Sequence, residues 1–329
     1  MSALTAPAFA DIESAAERLR GHAVVTPLLE NAALNARAGG RVLIKPENLQ
    51  RTGTFKFRGA FSRMSRLSPE ELRRGVAAYS SGNHAQGVPA AGAILGAPTV
   101  IVMPADSPIV KVEGARRLGA EVIFYDRWTE KREEIGAKLA RDRGMTLVPP
   151  YEHPDVIAGQ GTAGLEMARQ AEAAGAQLEA VLVCTGGGGL TAGVALAMEA
   201  LSPETAVYSV EPEGFDDTRR SLEAGERVSN DPAARSICDA LLAPEPGALT
   251  FSINRRLLKG GLVVTDAEVA EAMRYAFANL KLVLEPGGAV TLAAVLSGKL
   301  PTQGRTVGIV CSGGNVDPAL FAQVLAGEL

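Results

Sequence analysis

Ala180-Val-Leu-Val-Cys-Thr-Gly-Gly-Gly-Gly-Leu-Thr-Ala-Gly193 is the stretch on which the fold turns. Residues 180–184 are an apolar run with the valines of a buried strand, and 185–193 turn from it into a helical pattern. Four consecutive glycines cost more backbone entropy than a plain turn needs, and they let several amide N–H groups curl toward one anion. The loop lacks the lysine of a nucleoside-triphosphate loop and the spacing of a dinucleotide fingerprint. It therefore reads as a cup for a single phosphate monoester.

The same strand-then-helix unit repeats along the chain. Short apolar runs at 42–44, 76–79, 99–103, 121–125, 146–148, 206–211 and 306–311 predict further buried strands. Helical spacing fills the intervals, as at 266–280 with its leading Asp266. Such alternation predicts an α/β fold with parallel sheets, helices on both faces and ligands beyond the carboxyl ends of the strands. The chain is read as a large domain made of 1–50 and 146–329 with a smaller domain, 51–145, inserted in it.

The composition suits an ordinary globular protein of 329 residues, 47% hydrophobic and 21% charged. With 33 basic against 37 acidic residues, no basic excess is available for nucleic acid or an anionic membrane. The longest apolar stretch, 88–104, is broken by Gly92, Gly96 and Pro98, and residues 1–10 do not read as a secretory signal. Cys184, Cys238 and Cys311 are few and scattered, as reduced thiols of a cytoplasmic protein would be. With His22, His84 and His153 they form no metal-ligand spacing.

Three further strand ends carry chemistry. Lys56 lies between Phe55 and Phe57 and two residues before Arg58. An amine near aromatic surface and a second cation should have a lowered pKa and act as nucleophile and base. Taken alone it reads first as a solvated lysine at a helix start. Ser80-Ser-Gly-Asn-His-Ala-Gln-Gly87 follows the run 76–79 and reads either as a capping turn or as a carboxylate seat at a helix N-terminus. Cys311-Ser-Gly-Gly-Asn315 places the Ser312 hydroxyl at another strand end. Together, a reactive lysine, a carboxylate seat, a phosphate cup and a strand-end hydroxyl describe an amino acid on a phosphorylated aldehyde cofactor.

These motifs, with Thr-Gly-Thr-Phe-Lys-Phe-Arg-Gly-Ala (52–60) and Ala-Gly-Gln-Gly-Thr (158–162), resemble the threonine/serine dehydratase and serine racemase family of fold-type II pyridoxal-phosphate enzymes. The resemblance implies a tryptophan synthase β-like architecture of two doubly wound α/β domains with pyridoxal 5'-phosphate in the cleft, and a homodimer. It makes Lys56 the Schiff-base lysine and the base at Cα, with Phe55 against the cofactor ring and Asn83 bonding its 3-hydroxyl. Gly186, Gly187, Gly188 and Gly189 would hold the phosphate, and Ser312 would face the pyridine nitrogen. Ser80, Ser81, Asn83 and His84 would form the substrate-carboxylate site, Ser81 matching the second base of racemases. Glu211, the Phe215 carbonyl and Asp217 would bind Mg²⁺, Mn²⁺ or Ca²⁺.

The implied reaction is β-elimination of water from L-threonine or L-serine, giving a 2-oxo acid and ammonia. A serine opposite the ring nitrogen favours elimination over transamination. The alternatives are an amino-acid racemase, a 3-hydroxyaspartate dehydratase and, outside enzymes, a silent amino-acid-binding relative. Cysteine synthase relatives resemble Asn-Pro-Gly-Gly-Ser-Val-Lys-Asp-Arg around the lysine, which this chain lacks. Ala85, Tyr151 and the segment Ser236-Ile-Cys-Asp-Ala-Leu-Leu depart from the usual pattern beside the substrate, so the substrate is the open question. With the chain ending at Leu329, feedback by isoleucine through an appended domain is not expected.

Overall fold

The computed structural model describes residues 4–80, 82–107, 109–126 and 128–329. Among them the strands are β1 (Leu29–Glu30), β2 (Arg41–Pro46), β3 (Val76–Tyr79), β4 (Thr99–Pro104), β5 (Glu121–Tyr125), β6 (Thr146–Leu147), β7 (Ala180–Cys184), β8 (Ala206–Pro212), β9 (Leu258–Val264) and β10 (Thr306–Cys311). They form a six-stranded sheet in the order β1-β2-β10-β7-β8-β9 and a four-stranded sheet in the order β5-β4-β3-β6. Every pairing is parallel except β1 with β2. Parallel neighbours cannot be joined by hairpins, so helices carry the chain over the sheet faces between them, and β10 between β2 and β7 and β6 beside β3 are placed out of chain order. β6 pairs with β3 in the four-stranded sheet, so Thr146 and Leu147 lie with the smaller sheet.

Parallel strands covered on both faces read as continuous apolar runs, and β4, β7 and β10 are buried almost throughout. Ile309 of β10 registers with Ile44 on one side and Leu182 on the other, which fixes the middle of the large sheet.

Three helices bring the site together. Those spanning Lys56–Met64, Pro154–Ala173 and Gly189–Leu201 pack in a row, and glycines set how closely they approach. A Cβ on Gly159 would lie 2.5 Å from the Arg58 carbonyl oxygen, and one on Gly193 would lie 2.5 Å from that of Ile157. The Ala-Gly-Gln-Gly-Thr motif is thus a packing device: it lets the helix that begins at Lys56 and the helix that follows the tetraglycine close on a common partner.

Arg58 faces away from Lys56. Its guanidinium donates to both oxygens of Glu47 and both of Glu166, at 2.7–2.8 Å. Lys45 Nζ donates to Glu166 as well, at 2.7 Å, and to the Thr26 carbonyl and Gln170. Burial pushes the Glu47 carboxyl up, but Arg58 and Lys45 outweigh it and hold the group below its ordinary range. This buried network ties β2, the turn after it and two of the three packed helices into one unit.

Candidate active site

The carboxyl ends of β3, β7 and β10 open into a cavity of about 200 Å³ lined by Phe55, Lys56, Ser80, Asn83, His84, Gly186 to Gly189 and Ser312. Residues that the sequence places at four separate strand ends therefore share one cleft. Ser81 lies outside the described residues.

Lys56 opens its helix, donates from Nζ to the Pro150 carbonyl at 3.0 Å, and sits 5.1 Å from the centroid of the Phe55 ring. Burial lowers its amine to about 8; Glu285 opposes the shift and Arg132 adds to it. The expected lowering holds, but its cationic contribution comes from Arg132 and not from Arg58, which is turned into the network behind.

The tetraglycine begins where β7 ends. Gly188 has φ +88°, and it starts the helix Gly189–Leu201. Thr250 Oγ1 donates to the Gly187 carbonyl at 2.7 Å and Asn254 Nδ2 to the Gly188 carbonyl at 3.3 Å. In trans peptides this turns the N–H groups of Gly188 and Gly189 the other way, into the cleft. A Cβ on Gly187 would lie 2.3 Å from the half-buried Tyr151 ring. The result is an amide-lined cradle at a helix N-terminus, which suits a phosphate.

Asn83 is held at both ends. Asn315 Nδ2 donates to its Oδ1 at 2.9 Å, and its Nδ2 donates to Glu285 Oε1 at 2.6 Å. One N–H of Asn83 remains for a ligand oxygen in the cleft. Sequence reasoning misses Glu285. Its carboxyl is pushed up to about 7 by burial and then by Asp239, and its Oε2 has no hydrogen-bond partner among the described residues. The only hint in the sequence is an acidic residue ahead of Pro-Gly-Gly at a helix start.

His84 Nε2 lies 2.8 Å from the Val148 carbonyl. That oxygen can only accept, so Nε2 carries the proton and Nδ1 is left bare. Burial and the nearby Lys56 lower the ring to about 3, so it is neutral. His84 can therefore bring a helix N-terminus to a substrate carboxylate but no positive charge. Ser80 lines the cleft with its Oγ accepting from the Gly82 N–H at 3.1 Å.

Two cations complete the wall, and sequence reasoning misses both: Lys111 in the helix Ile109–Arg117 and Arg132 at the start of the helix Arg132–Arg143. Arg132 stacks on Tyr79 with Cζ 5.6 Å from the ring centroid, and its Nε donates to Glu133 at 2.8 Å. Asp239 to Ala243 form the facing wall, within and beyond the segment that departs from the family pattern.

Glu211 and Asp217 lie apart from this cleft, at the end of β8 and the start of the helix Asp217–Ala224. Glu211 accepts the N–H groups of Thr218 and Arg219 at 2.8 and 2.9 Å, capping that helix. Burial, and then its neighbour Asp217, pushes Glu211 up to about 8; burial pushes Asp217 up to about 7. Asp217 Oδ2 has no partner among the described residues, where no three His, Cys, Asp or Glu side chains converge on a metal site. A cation here would need the Phe215 carbonyl as a further ligand.

The sequence profile of a family described as "Pyridoxal-phosphate dependent enzyme" matches residues 19–313. L-threo-3-hydroxyaspartate ammonia-lyase of Pseudomonas sp is 48% identical over 96% of this chain and 98% of its own length. Serine racemase of Schizosaccharomyces pombe is 38% identical over 98% of each chain. Among solved structures, a threonine deaminase from T.th. superposes with a TM-score of 0.88 at 44% identity, covering 94% of this chain and 99% of that one.

Proposed function

Since the chain belongs to the family of pyridoxal-phosphate-dependent enzymes, fold type II, we propose that it eliminates water from 3-hydroxyaspartate, giving a 2-oxo acid and ammonia. The observation that carries the substrate is the pair of cations, Lys111 and Arg132, in the wall of the cleft. A monocarboxylic substrate such as serine or threonine, the first expectation from the motifs, leaves both without a partner from the ligand. A β-carboxylate uses them. The similarity to L-threo-3-hydroxyaspartate ammonia-lyase supports the same choice.

The residues fit the cofactor. Gly186 to Gly189 would hold its phosphate, where added side chains would strike Tyr151, Gln160 and the 240–241 wall. Asn83 would donate its free N–H to the 3-oxygen, Phe55 would pack on the ring and Ser312 would face the ring nitrogen. When bound, pyridoxal phosphate supplies the electron sink that makes Cα–H acidic. Lys56, lowered to about 8, is partly neutral near pH 7 and takes the Cα proton. The helix N-terminus after Asn83 seats the α-carboxylate, and Arg132 and Lys111 seat the β-carboxylate. Half-buried Tyr151 packs beside the glycine loop and limits water there.

The reading includes a divalent cation held by Glu211, Asp217 and the Phe215 carbonyl, where burial pushes two neighbouring carboxyls up and the charge of Arg220 does not offset it. A homodimer in the cytoplasm belongs to the same reading and rests on the family resemblance. Adding Mg²⁺, Mn²⁺ or Ca²⁺ should raise the melting temperature of wild-type protein, and Asp217→Asn should cancel the rise. An equal rise in the variant removes the site.

The decisive assay supplies cofactor-loaded protein with L-threo-3-hydroxyaspartate, L-serine, L-threonine and D-serine. Oxaloacetate and ammonia should form in equal amounts, with kcat/KM for 3-hydroxyaspartate about 10–100-fold above that for serine, the range expected of charge-assisted hydrogen bonds to one added carboxylate. Faster turnover of threonine or serine would return the substrate to the monocarboxylic class. Loss of chirality without 2-oxo acid would make the enzyme a racemase.

A further inference from the structure

Lys111 Nζ donates to Asp239 Oδ2, and this ion pair crosses the mouth of the cleft. Lys111 belongs to a helix that follows β4 of the four-stranded sheet; Asp239 opens the short turn Asp239–Leu241 on the side of the six-stranded sheet. The two ends of the bond are unequal: the Lys111 side chain is 13% exposed and that of Asp239 is 49% exposed. Lys111 stays in the wall, while Asp239 has water to turn to.

An acidic side chain in the wall of a site for a dicarboxylic acid is unfavourable unless something answers it. Its field reaches inward, since Asp239 is one of the groups that push Glu285 up. With Lys111 paired to it, Arg132, whose Nε bonds Glu133, is left to meet a ligand with its remaining N–H groups; with Asp239 released, Lys111 joins it. A half-exposed ion pair is weak enough to exchange partners.

Resting on the dicarboxylic reading above, we propose that Lys111–Asp239 is a carboxylate-exchange latch, in which the substrate's β-carboxylate displaces Asp239 from Lys111. Serine and threonine have no group to make the exchange and leave Lys111 paired with Asp239. The exchange also replaces a bond between the two sides of the cleft by one through the substrate. The pair thereby selects for the second carboxylate as well as binding it. Arg132, bonded to Glu133 on its own helix, is the fixed part of the subsite.

The test measures kcat and KM for L-threo-3-hydroxyaspartate and L-serine with wild type, Asp239→Asn, Lys111→Gln, Lys111→Arg and the double variant Lys111→Gln/Asp239→Asn. Asp239→Asn should lower KM for 3-hydroxyaspartate three- to tenfold and raise the hydroxyaspartate-to-serine ratio of kcat/KM. Lys111→Gln, which leaves Asp239 unanswered, should lower that ratio about 30–100-fold, chiefly through KM. In the double variant part of that loss should return, and Lys111→Arg should keep most of the ratio. A purely structural pair would move both substrates together, and that outcome overturns the latch while leaving the proposed function standing. A fall in the ratio with Asp239→Asn overturns it equally. Wild-type protein that turns over serine but not 3-hydroxyaspartate overturns both the function and the latch.

Discussion

Replacing Lys56 by alanine is expected to lower turnover by about 10⁴-fold, the upper end of what loss of a positioned base removes, and to abolish the visible absorbance of the loaded protein. Lys56 combines an amine lowered to about 8, a place at the first turn of its helix, and the Phe55 ring 5.1 Å away. The other lysine in the wall, Lys111, bonds a carboxylate, that of Asp239, and is not the amine beside Phe55. Lys56→Arg separates charge from chemistry: guanidinium keeps the positive charge but neither gives up its proton nor condenses with an aldehyde. It should be as inactive as the alanine variant. Folding should survive both, because the amine's hydrogen bond among the described residues is to a single carbonyl, that of Pro150. Melting curves within a few degrees of wild type, together with lost colour and turnover, are the expected combination. Either variant keeping turnover within tenfold of wild type removes Lys56 from the chemistry.

How much of this was legible depended on whether a residue's role followed from its own neighbourhood in the chain. The strands β3, β4, β7 and β10 announce themselves because a strand buried on both faces needs an uninterrupted apolar run. β9 hides because Gly260 and Gly261 interrupt it. The second is obligatory, since a Cβ there would lie 2.6 Å from Arg219 Cβ and 2.8 Å from Ser209 Oγ. The tetraglycine could be read as an anion cup because the whole device is local.

The cations could not be read so. Arg132 sits in Glu130-Lys131-Arg132-Glu133-Glu134, a run indistinguishable from a solvated helix start. Only the crossover after the edge strand β5, which carries the helix back over β3 so that Arg132 stacks on Tyr79, gives it a function. Arg58 shows the opposite error. Two residues from Lys56 is close along the chain, but in a helix it is a rotation of about 200°, so the two side chains leave on opposite faces. The segment 236–242, read as a departure from the family pattern, contains Asp239, yet the partner that gives Asp239 meaning is 128 positions away.

Arg58→Met is expected to cost about 3–5 kcal/mol of stability, the usual loss on breaking a buried ion pair from one side, and to lower the melting temperature by roughly 4–7 °C. Arg58, Lys45 and Glu47 are fully buried, and Arg58 donates to Glu47 at 2.7 and 2.8 Å. Removing Arg58 leaves Glu47 in the interior with Lys45 as its nearest remaining cation and Thr26 Oγ1 as its hydrogen-bond donor. Two buried cations balance two carboxylates in the wild type, so each single neutralisation leaves one charge over. Glu47→Gln should therefore be costly too, while the double variant Arg58→Met/Glu47→Gln, again balanced, should lose less than the sum of the singles by at least about 1 kcal/mol. Denaturant titration of the four proteins measures that difference. Strict additivity would mean that these charges act separately, as surface pairs do. Coupling would show that the network is held by its balance, and that Arg58 is retained behind Lys56 because it locks β2 and two helices into the frame on which the reactive amine stands.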